Sequence, residues 1–281
     1  MNKLIINFAP TGMIPTKTMT PYVPIEPKEI IDDVLQANEL GITMVHLHAR
    51  SKLNGKPTYK MDIYGEIIEG IRNEAPDLII CVSLSGRTFK TFNERSEVLD
   101  LDGHVKPDMG SLTLSSVNFN KQASINSPYM IQKLAKLMKE RRIKPELEVF
   151  DVGMVNYAKY LIKKNLLSPP YYFNLILGNI ACAQADILHA GIMIRDLPED
   201  SYWSMGAVGD FQVTMNSVAI SIGGGVRVGI EDNIWYDKGR TKLARNIDLL
   251  KRIHLIAEAN EREICFANEL RKKLDLRRSD I

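Results

Sequence analysis

A short apolar run followed by an amphipathic one recurs along the whole chain, and no other feature narrows its possible folds so far. Strand-like runs occupy 3–9, 44–50, 78–85, 109–114, 146–150, 172–178, 202–208 and 225–230. Helical spacing of apolar residues follows at 28–40, 62–74, 93–101, 128–142, 152–164, 183–194, 211–222 and 241–263. In the first of these, Ile30, Ile31, Val34, Leu35 and Ala37 share one face. Near-continuous apolar strands alternating with helices form a parallel sheet covered on both sides. Roughly eight such units predict a closed (β/α)8 barrel of the TIM type rather than an open doubly wound sheet. With 281 residues and no linker, repeat or charge block, the expected boundary is a single domain over 1–281.

Composition excludes several function classes. The 45% hydrophobic and 25% charged fractions are those of a globular protein able to bury a full core. A net charge of +2 offers no basic field for nucleic acid. Cys81, Cys182 and Cys265 are widely spaced and lack CxxC pairing, which points to a reduced, cytoplasmic setting with each thiol a small hydrophobe. Neither a signal-like leader nor a run long and uncharged enough to span a bilayer is found, so no membrane partner is expected.

In such a barrel the chemistry sits at the carboxyl ends of the strands. In Met44-Val45-His46-Leu47-His48-Ala49-Arg50, alternation turns both histidines to one face, where two neutral imidazoles could ligate one metal ion or share a polar pocket. Other polar residues on or just beyond strands are Ser83, Ser85, Ser111, Thr113, Glu146, Glu148, Asn174, Ser204, Arg227, Glu231 and Asp232. The last strand is expected to carry Arg227, Gly229 and Glu231 on one face. Taken alone, Asp232 reads as an N-cap, with Glu231 neutralising a helix start. Taken with the histidines, a carboxylate completes three donors and leaves metal positions open, as catalytic sites do. Arg227 would serve an anionic substrate or Asp232, or form a salt bridge with Glu146 or Glu148. Gly223-Gly224-Gly225 precedes a strand and lacks a phosphate-loop context, so it reads as a tight turn. His104, His189 and His254 are expected on the surface, and Trp203, Trp235 and the tyrosines in packing roles.

Together these stretches resemble the β-keto acid cleavage enzymes. The resemblance rests on Thr11-Gly12 with Thr16, on 45–50, on Val82-Ser83, on 145–149 with Gly153-Met154, and on the 224–233 run GGVRVGIEDN. It implies a (β/α)8 barrel whose zinc ion is held by His46, His48 and Glu231. It also implies condensation of a β-keto acid with acetyl-CoA, followed by retro-Claisen cleavage to acetoacetate and a new acyl-CoA. In that scheme zinc binds the keto oxygen and the carboxylate and stabilises the enolate. Asp232 is the base, Arg227 orients it, and Ser83 donates to the thioester oxyanion. Glu148 and Ser111 match further active-site positions, and Thr113 lies beside them. The resemblance further suggests a homo-oligomer, dimer or tetramer.

Two positions depart from the family pattern. Ile14 stands where aminohexanoate-cleaving members carry a glutamate for the substrate ammonium, so a neutral or hydrophobic tail is expected. Asp210 stands where many relatives carry an arginine; if that arginine holds coenzyme A phosphates, Asp210 would repel them. Two competing readings are an amidohydrolase-type metal hydrolase and a degenerate barrel that binds acyl-CoA without catalysis. The hydrolase would place His-x-His on the first strand, with further histidines at later strand ends.

Overall fold

The computed structural model describes residues 3–276, so the extreme ends of the expected 1–281 domain lie outside the described residues. The first half runs β1 (Ile6–Phe8), α1 (Pro27–Leu40), β2 (Met44–Leu47), α2 (Met61–Glu74), β3 (Ile79–Val82), α3 (Phe92–Ser96), β4 (Met109–Thr113), β5 (Val117–Asn118), β6 (Ala123–Ser124) and α4 (Pro128–Arg141). The second runs β7 (Lys144–Val149), α5 (Val152–Lys163), β8 (Tyr171–Leu177), α6 (Ile187–Arg195), β9 (Ser201–Ala207), α7 (Gln212–Ser221), β10 (Gly225–Val228), α8 (Asn246–Ala259) and α9 (Ala267–Lys273). The parallel strands close in the order β1-β10-β9-β8-β7-β4-β3-β2. This is the (β/α)8 barrel that the alternation predicts.

Side-chain parity sorts the strands into two environments. Ile6, Phe8, Val45, Leu47, Ile80, Val82, Leu147, Val149, Phe173, Leu175, Val226 and Val228 point outward and join the helix stripes in one core. Ile5, Met44, Ile79, Cys81, Met109 and Tyr172 form a separate core inside the barrel, together with Cys265, Leu270 and Leu274. Further along the same inward faces the lumen turns polar. Asn7, His46, Ser111, Glu146, Asn174, Ser204 and Arg227 are each at most 2% exposed.

The apolar floor is closed by α9, which the sequence reading did not anticipate. Arg271 of α9 donates to Asp108 Oδ1 and Oδ2, each at 2.8 Å. Arg72 Nη2 meets the same carboxylate at 2.9 Å, and the Ile80 N–H adds a contact at 2.9 Å. A carboxylate shared by two buried guanidiniums is costly to desolvate, but removing it would strand both cations.

Other expectations shift for local reasons. The 93–101 helix divides into α3 and a 3-10 turn at Glu97–Asp100. The 183–194 helix begins only at Ile187, where Asp186 caps it by accepting from His189 N at 2.9 Å. The 241–263 helix is shorter, because Trp235 and Leu243 bridge across an irregular excursion before Asn246. The connection after β4 holds the antiparallel β5–β6 hairpin. The last strand stops at Val228 rather than Ile230: a Cβ on Gly229 would collide with the Ala9 carbonyl, and Gly229 O then accepts from the Asp232 and Asn233 amides. His254 is half-buried against Gly41 rather than on the surface, while His189 pairs with Asp186 and His104 is exposed.

Candidate metal centre and active site

His46 and His48 flank the last residue of β2, and both imidazoles enter the lumen at the carboxyl end of the barrel. Their Nε2 atoms stand 3.3 Å apart, and Glu231 Oε1 lies 3.1 Å from His48 Nε2. The donor atoms of His46, His48 and Glu231 all fall within 4.8 Å of one another. The expected face shared by Arg227, Gly229 and Glu231 is replaced by a turn, which brings Glu231 back onto the same point.

Glu146 fixes the first imidazole. Its Oε2 lies 2.6 Å from His46 Nδ1, and its Oε1 accepts from Asn7 Nδ2 at 2.6 Å and Asn174 Nδ2 at 3.2 Å. An acceptor at Nδ1 places the proton there and leaves the Nε2 lone pair for a metal. Without a cation, burial pulls His46 down, but the Glu146 charge outweighs it and lifts the imidazole to about 9, so a metal would bind at Nε2 by displacing the proton there. A second donor group, His46 with Cys81 and Glu146, lies deeper. There burial pushes the Cys81 thiol well up, which keeps it protonated and a poor ligand.

Two observations fit the upper donor set to a divalent cation. Glu231 Oε2 is buried without a hydrogen-bond partner, and two imidazole nitrogens face each other with room for one proton between them. Two nitrogens and a carboxylate oxygen also suit zinc with positions left open.

Arg227 organises the carboxylates. Its Nη2 lies 2.8 Å from Glu231 Oε1, its Nε donates to Asp232 Oδ2 at 2.7 Å, and its Nη1 stands 4.0 Å from Glu148 Oε1. Of the two salt-bridge partners considered from sequence, Glu148 is at the edge of reach, while Glu146 is committed to His46. Burial raises Glu231, but His48 and Arg227 outweigh it and hold that carboxyl well below the usual range. Asp232 is raised by burial despite Arg227, and Glu148 is raised by burial and by Glu146. Low and high carboxylates thus stand side by side, one suited to a metal and the others to protons.

On the opposite rim, Ser111 Oγ accepts from Leu84 N at 3.1 Å and so holds the backbone next to Ser83. Ser83 Oγ accepts from Ser85 N at 3.3 Å, which leaves its hydroxyl proton to donate elsewhere. Thr113 Oγ1 donates to Glu148 Oε2 at 2.6 Å.

The sequence profile of the beta-keto acid cleavage enzyme family matches residues 3–276. The chain belongs to this family. It is 35% identical over 280 residues to the 3-keto-5-aminohexanoate cleavage enzyme of Fusobacterium nucleatum, covering 99% of this chain and 100% of that one. It is 33% identical over 275 residues to the 3-oxoadipate:acetyl-CoA acetyltransferase of Cupriavidus necator, covering 97% and 94%. Among solved structures, apo ObcA shares the fold with a TM-score of 0.75 at 20% identity, covering 91% of this chain and 66% of that longer one. A β-keto acid cleavage enzyme is not an amidohydrolase, so membership sets the hydrolase reading aside.

The two family departures also find their places. Arg50 Nη2 donates to Gly12 O at 2.6 Å and Pro15 O at 2.9 Å, clamping the loop that carries Ile14, which is 46% exposed. Gly12 (φ +65°) packs so tightly that a Cβ would lie 2.6 Å from Glu231 Cγ. Asp210 is paired with Arg240 Nη2 at 3.0 Å, so its charge is already matched.

Asn246 is a support that sequence reasoning missed. Its Oδ1 accepts from Ile230 N at 2.8 Å, while its amide donates to Pro10 O at 3.0 Å and Asp33 Oδ2 at 2.7 Å. The loops bearing Gly12 and Glu231 are thereby tied to α1. Burial lifts Asp33 from 3.8 to about 6, although Asn246 opposes the shift. A carboxyl with a raised native pKa binds its proton more tightly folded than unfolded, so its ionisation subtracts stability as pH rises through that window. Asp33→Asn, which cannot ionise, is therefore expected to gain in melting temperature relative to the parent chain between pH 4 and pH 7. A difference that stays flat or falls over that range would contradict this assignment.

Proposed function

We propose that this chain condenses a β-keto acid with acetyl-CoA and cleaves the adduct to acetoacetate and a new acyl-CoA, with His46, His48 and Glu231 holding a zinc ion. The observation that carries this reading is the convergence of those three donors beside an Asp232 gripped by Arg227. When bound, zinc supplies a Lewis acid that favours the enolate.

The remaining steps fall to side chains. Asp232, made more basic by burial, takes the proton from the carbon between the two carbonyls. Arg227 keeps Asp232 aimed and balances the charge that develops. The carbanion attacks the thioester carbonyl, the Ser83 hydroxyl donates to the new oxyanion, and collapse of that adduct breaks the carbon–sulfur bond and expels coenzyme A as its thiolate. Glu148, also raised and held by Thr113, is the partner for proton return as coenzyme A attacks the other ketone and the carbon–carbon bond breaks.

The substrate tail is neutral or hydrophobic on this reading, because the 10–16 loop carries Ile14 and no acidic residue. Incubating zinc-loaded protein and acetyl-CoA with 3-oxohexanoate should release acetoacetate at least ten times faster than 3-keto-5-aminohexanoate does, the gap expected for burying an unpaired ammonium. The reverse order would refute the tail assignment, and no acetoacetate from any β-keto acid would refute the reaction.

Glu146→Gln removes the charge behind His46. It should weaken zinc binding by about 10–100-fold in a competitive chelator titration, with little change in the fold by circular dichroism. Unaltered affinity would detach Glu146 from the metal centre.

We also propose a homo-oligomer, dimer or tetramer. The exposed Ile180, Ile187 and Leu188 support it, because such side chains gain by being covered. Sedimentation velocity should show no monomer at micromolar concentration; a monomer would exclude it.

A further inference from the structure

Arg87 lies four residues beyond Ser83, in the loop that follows β3, and its backbone is tightly held. Ser85 Oγ accepts from its N–H at 3.2 Å, and Lys90 Nζ donates to its carbonyl at 2.8 Å. The neighbouring Gly86 carbonyl accepts from Ile125 N at 3.3 Å, and a Cβ on Gly86 would run into the Ile125 carbonyl. The guanidinium carbon sits 3.5 Å from the ring centroid of Phe119, between β5 and β6. Phe119 is in turn braced edge-on against Phe150, at the end of β7, with centroids 5.9 Å apart.

Stacking keeps the guanidinium face on the ring and leaves its in-plane N–H edges free. A guanidinium carries five such donors, and among the described residues none of those of Arg87 is hydrogen-bonded to a carboxylate or carbonyl. The side chain is nonetheless only partly exposed. Burial pulls this guanidinium below its usual range, opposed by the charges of Glu231, Glu148 and Asp232. Donors on a partly buried cation without a protein partner gain when a ligand brings an oxyanion.

We propose that Arg87 anchors the carboxylate of the β-keto acid through charge-assisted hydrogen bonds at the mouth of the barrel. This rests on the reading of the site given above. The phosphates of coenzyme A lie at the far end of its pantetheine arm from the reacting thioester. Arg87, by contrast, stands in the loop of Ser83, four residues from the hydroxyl assigned to the oxyanion, so the anion it meets is at the reacting end. A carboxylate has lone pairs enough to serve a metal and a guanidinium together.

The test compares two 1,3-dicarbonyl probes, acetoacetate and the uncharged acetylacetone, by calorimetry on metal-loaded and chelator-treated protein. Arg87→Met should weaken acetoacetate by roughly 10–100-fold in both preparations, the worth of a charge-assisted contact, and leave acetylacetone unchanged. Arg87→Lys should recover part of the loss, because it restores the charge without the planar fork. Unchanged acetoacetate affinity, or equal losses for both probes, would overturn the assignment. So would a raised KM for acetyl-CoA with acetoacetate binding intact, which would give the anion to the phosphates. Wild-type protein that binds acetoacetate through Arg87 but forms no acyl-CoA would sink the proposed reaction while leaving the anchor standing.

Discussion

The 2.6 Å contact between His46 Nδ1 and Glu146 joins two strands that are a hundred residues apart in sequence, and the upper lumen is arranged around it. Glu146 has no exposure, and its charge is tolerated because an imidazole and two amides, from Asn7 and Asn174, surround it, with the Cys81 thiol also donating to it. Those partners come from β1, β2, β3 and β8. The register of the barrel is therefore written into the polar contacts as well as into the backbone ladders. One strand slipped by one residue would turn its polar atoms into the apolar layer outside.

Above this floor of fixed polar groups, the rim divides labour by charge. Arg227 touches Glu231 and Asp232 and stands near Glu148, but the three do not respond alike. Glu231 has two imidazoles and the guanidinium to lower it, whereas burial prevails at Asp232 and Glu148. A single cation thus sustains one carboxylate fit for a metal and others fit to exchange protons. The separation arises from what else each carboxylate touches.

What sequence alone made legible was whatever repeats locally. Period-two alternation placed His46 and His48 on one face, and the strand–helix rhythm gave the barrel. Glu231 and Asp232 were recognisable because they follow a strand end, although the strand stops two residues sooner than its apolar pattern suggests. The supporting partners were not legible. Glu146 was visible as a polar strand residue, but its choice of His46 over Arg227 depends on a pairing across the lumen that no spacing encodes. Asn246, α9 and the β5–β6 hairpin fill gaps whose shapes exist only once the barrel is closed. The half-buried His254 escaped for the same reason, since helix periodicity does not say how closely Gly41 will approach.

The helix that seals the floor has a consequence for how the molecule is made. All eight barrel strands precede α9 along the polypeptide, so the ladder of the cylinder is complete without its stopper. Without α9 seated, Asp108 would keep Arg72 but lose Arg271, and the inner apolar layer would lose the cover of Leu270 and Leu274. Seating α9 is therefore a docking event at the face remote from the donor cluster, whose own contacts are made by earlier elements.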